Sequence, residues 1–317
     1  MMSQPGGALA GNAQAAAGPR RLLSGVVPPL VTPFDRHGEV DRSSLAALCD
    51  YLIAAGVHGL YPCGSFGECA LLTTREREAV AKTTIQAAAG RVPVYVHVGA
   101  ASTAETVALA RHAAAAGADG VGAVTPYYYT YTDDDLRRHY LQLAEAVAPL
   151  PVYLYSLPSH AHHVISATLA DDLSRRADNI VGIKDSGGSA DSLRELRAIP
   201  NFSVISGIDG LALTGLRLGC DGMVAGNANA APGVFVALWN AWYAGDVDAA
   251  QRAQERIEAV RVFLAAGPRF ARFKEVLGQR GVLRTAVVRD PQPPLIGGED
   301  LAGMVDSLSG RLIPAGT

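Results

Sequence analysis

Of the three lysines in the chain, Lys82, Lys184 and Lys274, only Lys184 closes an apolar run. It ends Ile180-Val181-Gly182-Ile183 and is followed by the polar, glycine-rich turn Asp185-Ser186-Gly187-Gly188. Burial at a strand end disfavours an ammonium and frees the amine as a nucleophile. Lys82 follows Arg75-Glu76-Arg77-Glu78, and Lys274 lies in the charged stretch 269–280, so both read as residues of polar helices. On position alone, a lysine that snorkels at a strand end or pairs with Asp185 is slightly the better reading. Other residues with chemistry also stand where apolar runs stop. They are Ser65 and Phe66, Thr125 to Tyr128, Tyr155, Ser206 with Gly207, and Val224 to Asn227. An amine nucleophile, hydroxyls that move protons and donors for a carboxylate are the inventory of a Schiff-base enzyme.

The elements that must position these residues alternate with regularity. Apolar runs at 26–31, 57–61, 92–98, 118–124, 151–157, 180–184, 202–206 and 222–225 read as strands. Helical patterns follow each, over 43–55, 74–89, 103–116, 133–148, 166–177, 189–199, 211–218 and 234–244. Asp41 or Ser43 caps the first helix and Thr73 or Thr74 the second. Strands that are apolar throughout and alternate with helices mean a parallel sheet. Eight units are the count of a closed (β/α)8 barrel, a TIM barrel. The open, doubly wound alternative lacks a Gly-x-Gly-x-x-Gly turn after any early strand. The division expected is a disordered tail over 1–21, a barrel over 22–245 and a C-terminal helical extension over 246–317. In such a barrel the active site lies at the C-terminal ends of the strands, where Lys184, Tyr155, Tyr128 and Ser65 all fall.

Composition excludes several partners. Net charge is −3 without a basic block, which leaves no footprint for nucleic acid. No apolar run approaches the roughly 20 residues of a membrane helix, and the N-terminus is not a signal peptide. The expected location is the cytoplasm. Cys49, Cys63, Cys69 and Cys220 form no Cys-x-x-Cys pair and read as free thiols. The histidines at 160, 162 and 163 have no neighbouring carboxylate or cysteine ligand and read as a polar loop. With no metal-ligand set and no cofactor loop, no cofactor is expected.

Four motifs carry a resemblance over nearly the whole chain. Gly64-Ser65-Phe66-Gly67-Glu68 resembles Gly-Thr/Ser-Thr-Gly-Glu. Thr125-Pro126-Tyr127-Tyr128 resembles Thr-Pro-Tyr-Tyr. Tyr155-Ser156-Leu157-Pro158 resembles Tyr-Asn-Val-Pro, and Gly182-Ile183-Lys184-Asp185 resembles Gly-Ile-Lys-Glu/Asp. In this order they resemble the pyruvate-dependent class I aldolases that include dihydrodipicolinate synthase and N-acetylneuraminate lyase. The resemblance implies that Lys184 forms an imine with pyruvate or another 2-oxo acid and that Tyr155 transfers protons. Ser65 would relay protons between Tyr155 and Tyr128. It also implies a homo-oligomer, a tetramer built as a dimer of dimers, with Tyr128 reaching in from a neighbouring subunit. The N–H groups of Ser65 and Phe66 would hold the carboxylate, and Gly207 and Val224 would line the pocket. Glu68 reads as structural, capping or pairing beneath its turn.

Two departures bear on substrate. His160 stands where the synthases carry the arginine that binds the carboxylate of their aldehyde, and imidazole is a poor substitute for a bidentate guanidinium. Phe66 replaces a second threonine and adds an apolar wall, as in hydratase-aldolases of aromatic substrates. The stretch from Asn179 to Gly188 resembles 4-hydroxy-2-oxoglutarate and 2-keto-3-deoxy-sugar-acid aldolases. The expected reaction is reversible cleavage of a 4-hydroxy-2-oxo acid to pyruvate and an aldehyde. Dihydrodipicolinate synthesis, sugar-acid dehydration, hydratase-aldolase chemistry and a degenerate 2-oxo-acid binder are the alternatives.

Overall fold

A computed structural model of the chain describes residues 22–310, so the expected N-terminal tail, 1–21, lies outside the described residues. In chain order the elements are β1 (Gly25–Val27), α1 (Arg42–Ala54), α2 (Thr74–Ala88), β2 (Tyr95–His97), α3 (Thr103–Ala115), β3 (Gly120–Val124) and α4 (Asp133–Val147). There follow β4 (Val152–Ser156), α5 (Pro158–Ala161), α6 (Ala167–Arg176), β5 (Ile180–Asp185), α7 (Ala190–Arg197), β6 (Ser203–Ser206) and α8 (Ala212–Arg217). β7 (Gly222–Val224), α9 (Pro232–Tyr243), α10 (Val247–Ala265), α11 (Arg269–Gln279) and α12 (Leu301–Ser309) complete the chain.

The seven strands among the described residues form one sheet in the order β1-β7-β6-β5-β4-β3-β2, with every pair parallel. The run 57–61, expected as a full strand, is reduced to two parallel bridges, Pro29 with Tyr61 and Leu60 with Val94. Its backbone bonds to Pro28 and Leu30 on one side and to Pro93 and Tyr95 on the other close the barrel between β1 and β2. The cause is proline. Pro28, Pro29, Pro62 and Pro93 have no N–H, so neither neighbour can sustain an unbroken ladder there. The fold is a (β/α)8 barrel whose eighth helix is α9, and α10 to α12 form the C-terminal extension. Among the described residues no helix is long and apolar enough to cross a membrane.

Inside the barrel, large and small residues complement each other. Tyr61, Tyr95 and Tyr153 are fully buried and pack with Val27, Ile205 and Val224. A Cβ on Gly122 would lie 2.3 Å from the Tyr61 hydroxyl, one on Gly120 2.2 Å from the Tyr95 ring, and one on Gly182 2.6 Å from the Tyr153 ring. Glycine at these strand positions is the condition for three rings to share the interior. Lys184 stands two residues above Gly182 on the same inward face of β5.

The charged stretch 269–280 is not a solvated face. α11 buries Phe273, Lys274, Val276 and Leu277. Lys274 Nζ donates to Glu68 Oε1 at 2.6 Å and to Val287 O at 2.8 Å, and both charged side chains are 0% exposed. The other Glu68 oxygen accepts from Arg289 N at 3.1 Å. The reading of Lys274 as a polar-helix residue is thereby corrected, and Glu68 pins the turn it occupies to α11. Burial holds the Lys274 ammonium down at about 8, with Glu68 opposing the shift.

Arg289 makes a second staple from the segment before α12. It donates to Glu76 at 2.8 Å, to Leu71 O at 3.2 Å and to Gly38 O. Glu76 also completes the capping box of α2 with Thr73. The Arg289 guanidinium, then the Thr73 donors, hold the Glu76 carboxyl down at about 2 from 4.5, against the opposing effect of burial. A depressed folded-state pKa stabilises above the unfolded value, and that stabilisation is lost as pH falls through the folded one. Between pH 4.5 and about 2, the urea midpoint is therefore expected to fall more steeply for the native chain than for Glu76→Gln. Parallel curves would show that the Arg289 staple does not hold in solution.

Candidate active site

β4 and β5 place Tyr155 and Lys184 directly opposite one another in register. Side chains at partnered positions of a parallel pair share a face, so both enter the barrel. Lys184 Nζ lies 3.5 Å from the centroid of the Tyr155 ring and 5.2 Å from that of Tyr61. Lys184 is 4% exposed and Tyr155 3%. Asp185, one residue on, turns to the opposite face, as the strand's alternation requires. Its carboxylate accepts from Gly187 N at 3.0 Å, and burial raises its pKa. Among the described residues Lys184 has no ion pair. Neither the snorkelling reading nor the Asp185 pairing describes it.

Two residues the sequence reading passed over support Tyr155. His97 meets its ring edge-on, with centroids 5.8 Å apart. His97 Nε2 accepts from Val124 N at 3.3 Å, which assigns the proton to Nδ1, donated to Cys63 O at 2.8 Å. Burial first, then the nearby Arg77, pushes the imidazole well below its ordinary pKa, so the ring is neutral. The buried Arg77 donates to His97 O at 2.9 Å and Gly99 O at 3.0 Å. A histidine inside the apolar run 92–98 was a usable signal. Arg77, in a charged helical pattern, carried none.

Ser65, Phe66 and Gly67 form a one-turn 3-10 helix at the end of the bridging strand. As its first residues, Ser65 and Phe66 have N–H groups without an acceptor in the turn. The Phe66 ring packs edge-on against Phe273 at 5.2 Å and Phe270 at 6.0 Å. It occupies the space a Cβ on Gly226 would need, 2.1 Å from that atom. The apolar wall expected of Phe66 thus runs across the end of β7 and under α11. Gly207 follows β6. Its N–H donates to Asp185 O at 2.7 Å, its carbonyl accepts from Ser186 Oγ at 3.3 Å, and a Cβ there would collide with Ser186 Oγ at 2.0 Å. Val224 ends β7 within the interior cluster.

Two of the expected residues stand apart from this group. Tyr128 is 82% exposed, stacks on Tyr129 at 5.0 Å and has φ +85°, a strained conformation for a bulky residue. It touches neither Tyr155 nor Lys184 within the described chain. His160 is exposed on α5, with Nδ1 2.8 Å from Ser159 Oγ. Of the segment read as a polar loop, His160 lies on this short helix, which Pro158 starts with a helix-competent φ, while His162 and His163 follow its end. His163 is buried and committed to Tyr131 N and Ala161 O. Among the described residues no three His, Cys, Asp or Glu side chains converge as a metal site.

The profile of the dihydrodipicolinate synthetase family matches residues 22–301. The chain is 40% identical over 260 residues to an uncharacterized DapA-like lyase of Halobacterium salinarum, covering 82% of this chain and 85% of that one. It is 37% identical over 242 residues to the Escherichia coli protein named "Probable 2-dehydro-3-deoxy-D-pentonate aldolase YjhH", covering 75% and 80%. Among solved structures, Escherichia coli YagE, a dihydrodipicolinic acid synthase family protein in complex with pyruvate, superposes with a TM-score of 0.84 at 35% identity, covering 90% of this chain and 97% of that one. With the family profile spanning nearly all described residues and a buried lysine standing over a tyrosine at the barrel mouth, the chain belongs to the dihydrodipicolinate synthetase family of lyases and aldolases.

Proposed function

We propose that the chain is a class I aldolase that cleaves a 4-hydroxy-2-oxo acid reversibly to pyruvate and an aldehyde through an imine on Lys184. The observation that carries this reading is the buried Lys184 amine over the Tyr155 ring, with no carboxylate to hold it as a structural cation. Lys184 Nζ attacks the ketone carbon, and loss of water gives the imine. The protonated imine is an electron sink. Tyr155 takes the proton of the 4-hydroxyl, the C3–C4 bond breaks, and its electron pair moves into the enamine as the aldehyde departs. Protonation at C3 and hydrolysis by water then release pyruvate and restore the amine.

The N–H groups of Ser65 and Phe66 hold the substrate carboxylate, and the backbone at Gly207 and Val224 lines the pocket. Ser65 passes protons between Tyr155 and Tyr128 of a neighbouring copy. The exposed, strained Tyr128 supports that arrangement, since backbone strain of this kind persists where a functional contact rewards it. A homo-oligomer follows from it. The relatives named as 2-dehydro-3-deoxy-acid aldolases support the substrate framework, because such acids are 4-hydroxy-2-oxo acids.

The test is borohydride reduction in the presence of pyruvate, read by intact mass and peptide mapping. A pyruvyl adduct on Lys184 is the expected result. No adduct with any 2-oxo acid would overturn the imine mechanism.

A further inference from the structure

We propose that Arg269 binds the distal carboxylate of the aldehyde half, so that the preferred substrate is a 4-hydroxy-2-oxo dicarboxylic acid rather than a neutral sugar acid. This rests on the function proposed above. The loop after β4 offers no guanidinium to that end of the substrate, since His160 is exposed and bonded to Ser159. The extension supplies one beside Phe66. Arg269, the first residue of α11, lies 4.7 Å over the Phe66 ring, on the residue whose N–H is assigned to the pyruvate carboxylate.

The neighbouring cations are spoken for. Arg261 holds Glu258, Arg272 lies near Glu299, Lys274 holds Glu68 and Arg280 holds Asp306. Arg269 has no hydrogen bond or ion pair among the described residues. Asp209 is close enough to act on it electrostatically, but its carboxylate accepts from Gly226 N at 3.1 Å, Asn227 N at 2.8 Å and Asn227 Nδ2 at 2.5 Å. Arg269 is exposed, so an arriving anion reaches its guanidinium without displacing a partner. Stacking engages only the face of the guanidinium and leaves its in-plane N–H donors for a carboxylate. The ring beneath is held by Phe270, Phe273 and the missing Cβ of Gly226, so the cation is preorganised.

Glyoxylate and glycolaldehyde test this, because they differ only in a carboxylate against a hydroxymethyl group. Aldol addition of pyruvate to each is measured for the native chain, Arg269→Gln and Arg269→Lys. The native chain is expected to prefer glyoxylate. Arg269→Gln should lower the glyoxylate-to-glycolaldehyde ratio of kcat/KM roughly 10- to 100-fold, chiefly through KM for glyoxylate, and Arg269→Lys should restore part of it. Pyruvate trapping on Lys184 is followed in every variant. An unchanged ratio, or an equal loss with both aldehydes, with trapping intact, overturns the role of Arg269 alone. Absence of trapping in the native chain overturns the imine mechanism and this proposal with it.

Discussion

Lys184→Ala is expected to lower turnover more than about 10⁴-fold and to abolish the reducible adduct, while the chain stays folded. The lost group is the proposed nucleophile, and no neighbouring side chain offers a second amine, since Lys82 and Lys274 lie on α2 and α11. The structural cost is small by comparison. Lys184 has no ionic partner among the described residues, so its removal strands no buried charge. Asp185 keeps its bond from Gly187 N. What goes is the packing of the side-chain stem against Tyr155 and Tyr61, on the order of 1–3 kcal/mol. Circular dichroism and urea unfolding check the fold, and the kinetics check the chemistry. A folded variant that keeps turnover would remove the imine mechanism.

Lys274→Met is expected to cost about 3–5 kcal/mol in stability, because it leaves Glu68 buried without its cation. The double variant Lys274→Met with Glu68→Leu should recover much of that loss, since replacing both ions removes the uncompensated charge. The pair also has a pH signature. With its pKa held down at about 8 from 10.5, folded Lys274 binds fewer protons than unfolded Lys274 between those values. Native stability relative to Lys274→Met therefore rises across that window as pH increases. Denaturant midpoints between pH 7 and 10.5 measure it, and a flat difference would show that the ammonium is not desolvated. Function is tied to the same contact. Glu68 follows Phe66 by two residues and Lys274 follows Phe273, so the pair fixes the turn that carries the Ser65 and Phe66 N–H groups to the helix that carries Arg269.

The sequence by itself determined the barrel and the meeting of Lys184 with Tyr155 at its mouth. Eight apolar runs alternating with helical patterns admit few topologies, and a lysine and a tyrosine that end two such runs must reach the same mouth once the strands are parallel. These are local signals, written in period and in the type of residue that stops a run. The sequence also marked Glu68 as structural without naming its partner.

Tertiary structure decided what depended on distant partners. Lys274 reads as solvated from its neighbours in α11, and only Glu68, 206 residues earlier, makes it a core residue. The glycines at 120, 122 and 182 read as strand weaknesses until three tyrosines from other strands fill their missing Cβ positions. His97 and Arg77 support Tyr155 through backbone carbonyls that no spacing rule reveals. Tyr128 and His160 belong to motifs at the barrel mouth, yet one points to solvent on a strained backbone and the other bonds to its own neighbour. Arg269 lies in a charged stretch until the fold lays it on Phe66. For Lys274, the three glycines, His97, Arg77 and Arg269 a long-range contact, whose energy is absent from the local pattern, chose the environment of the side chain.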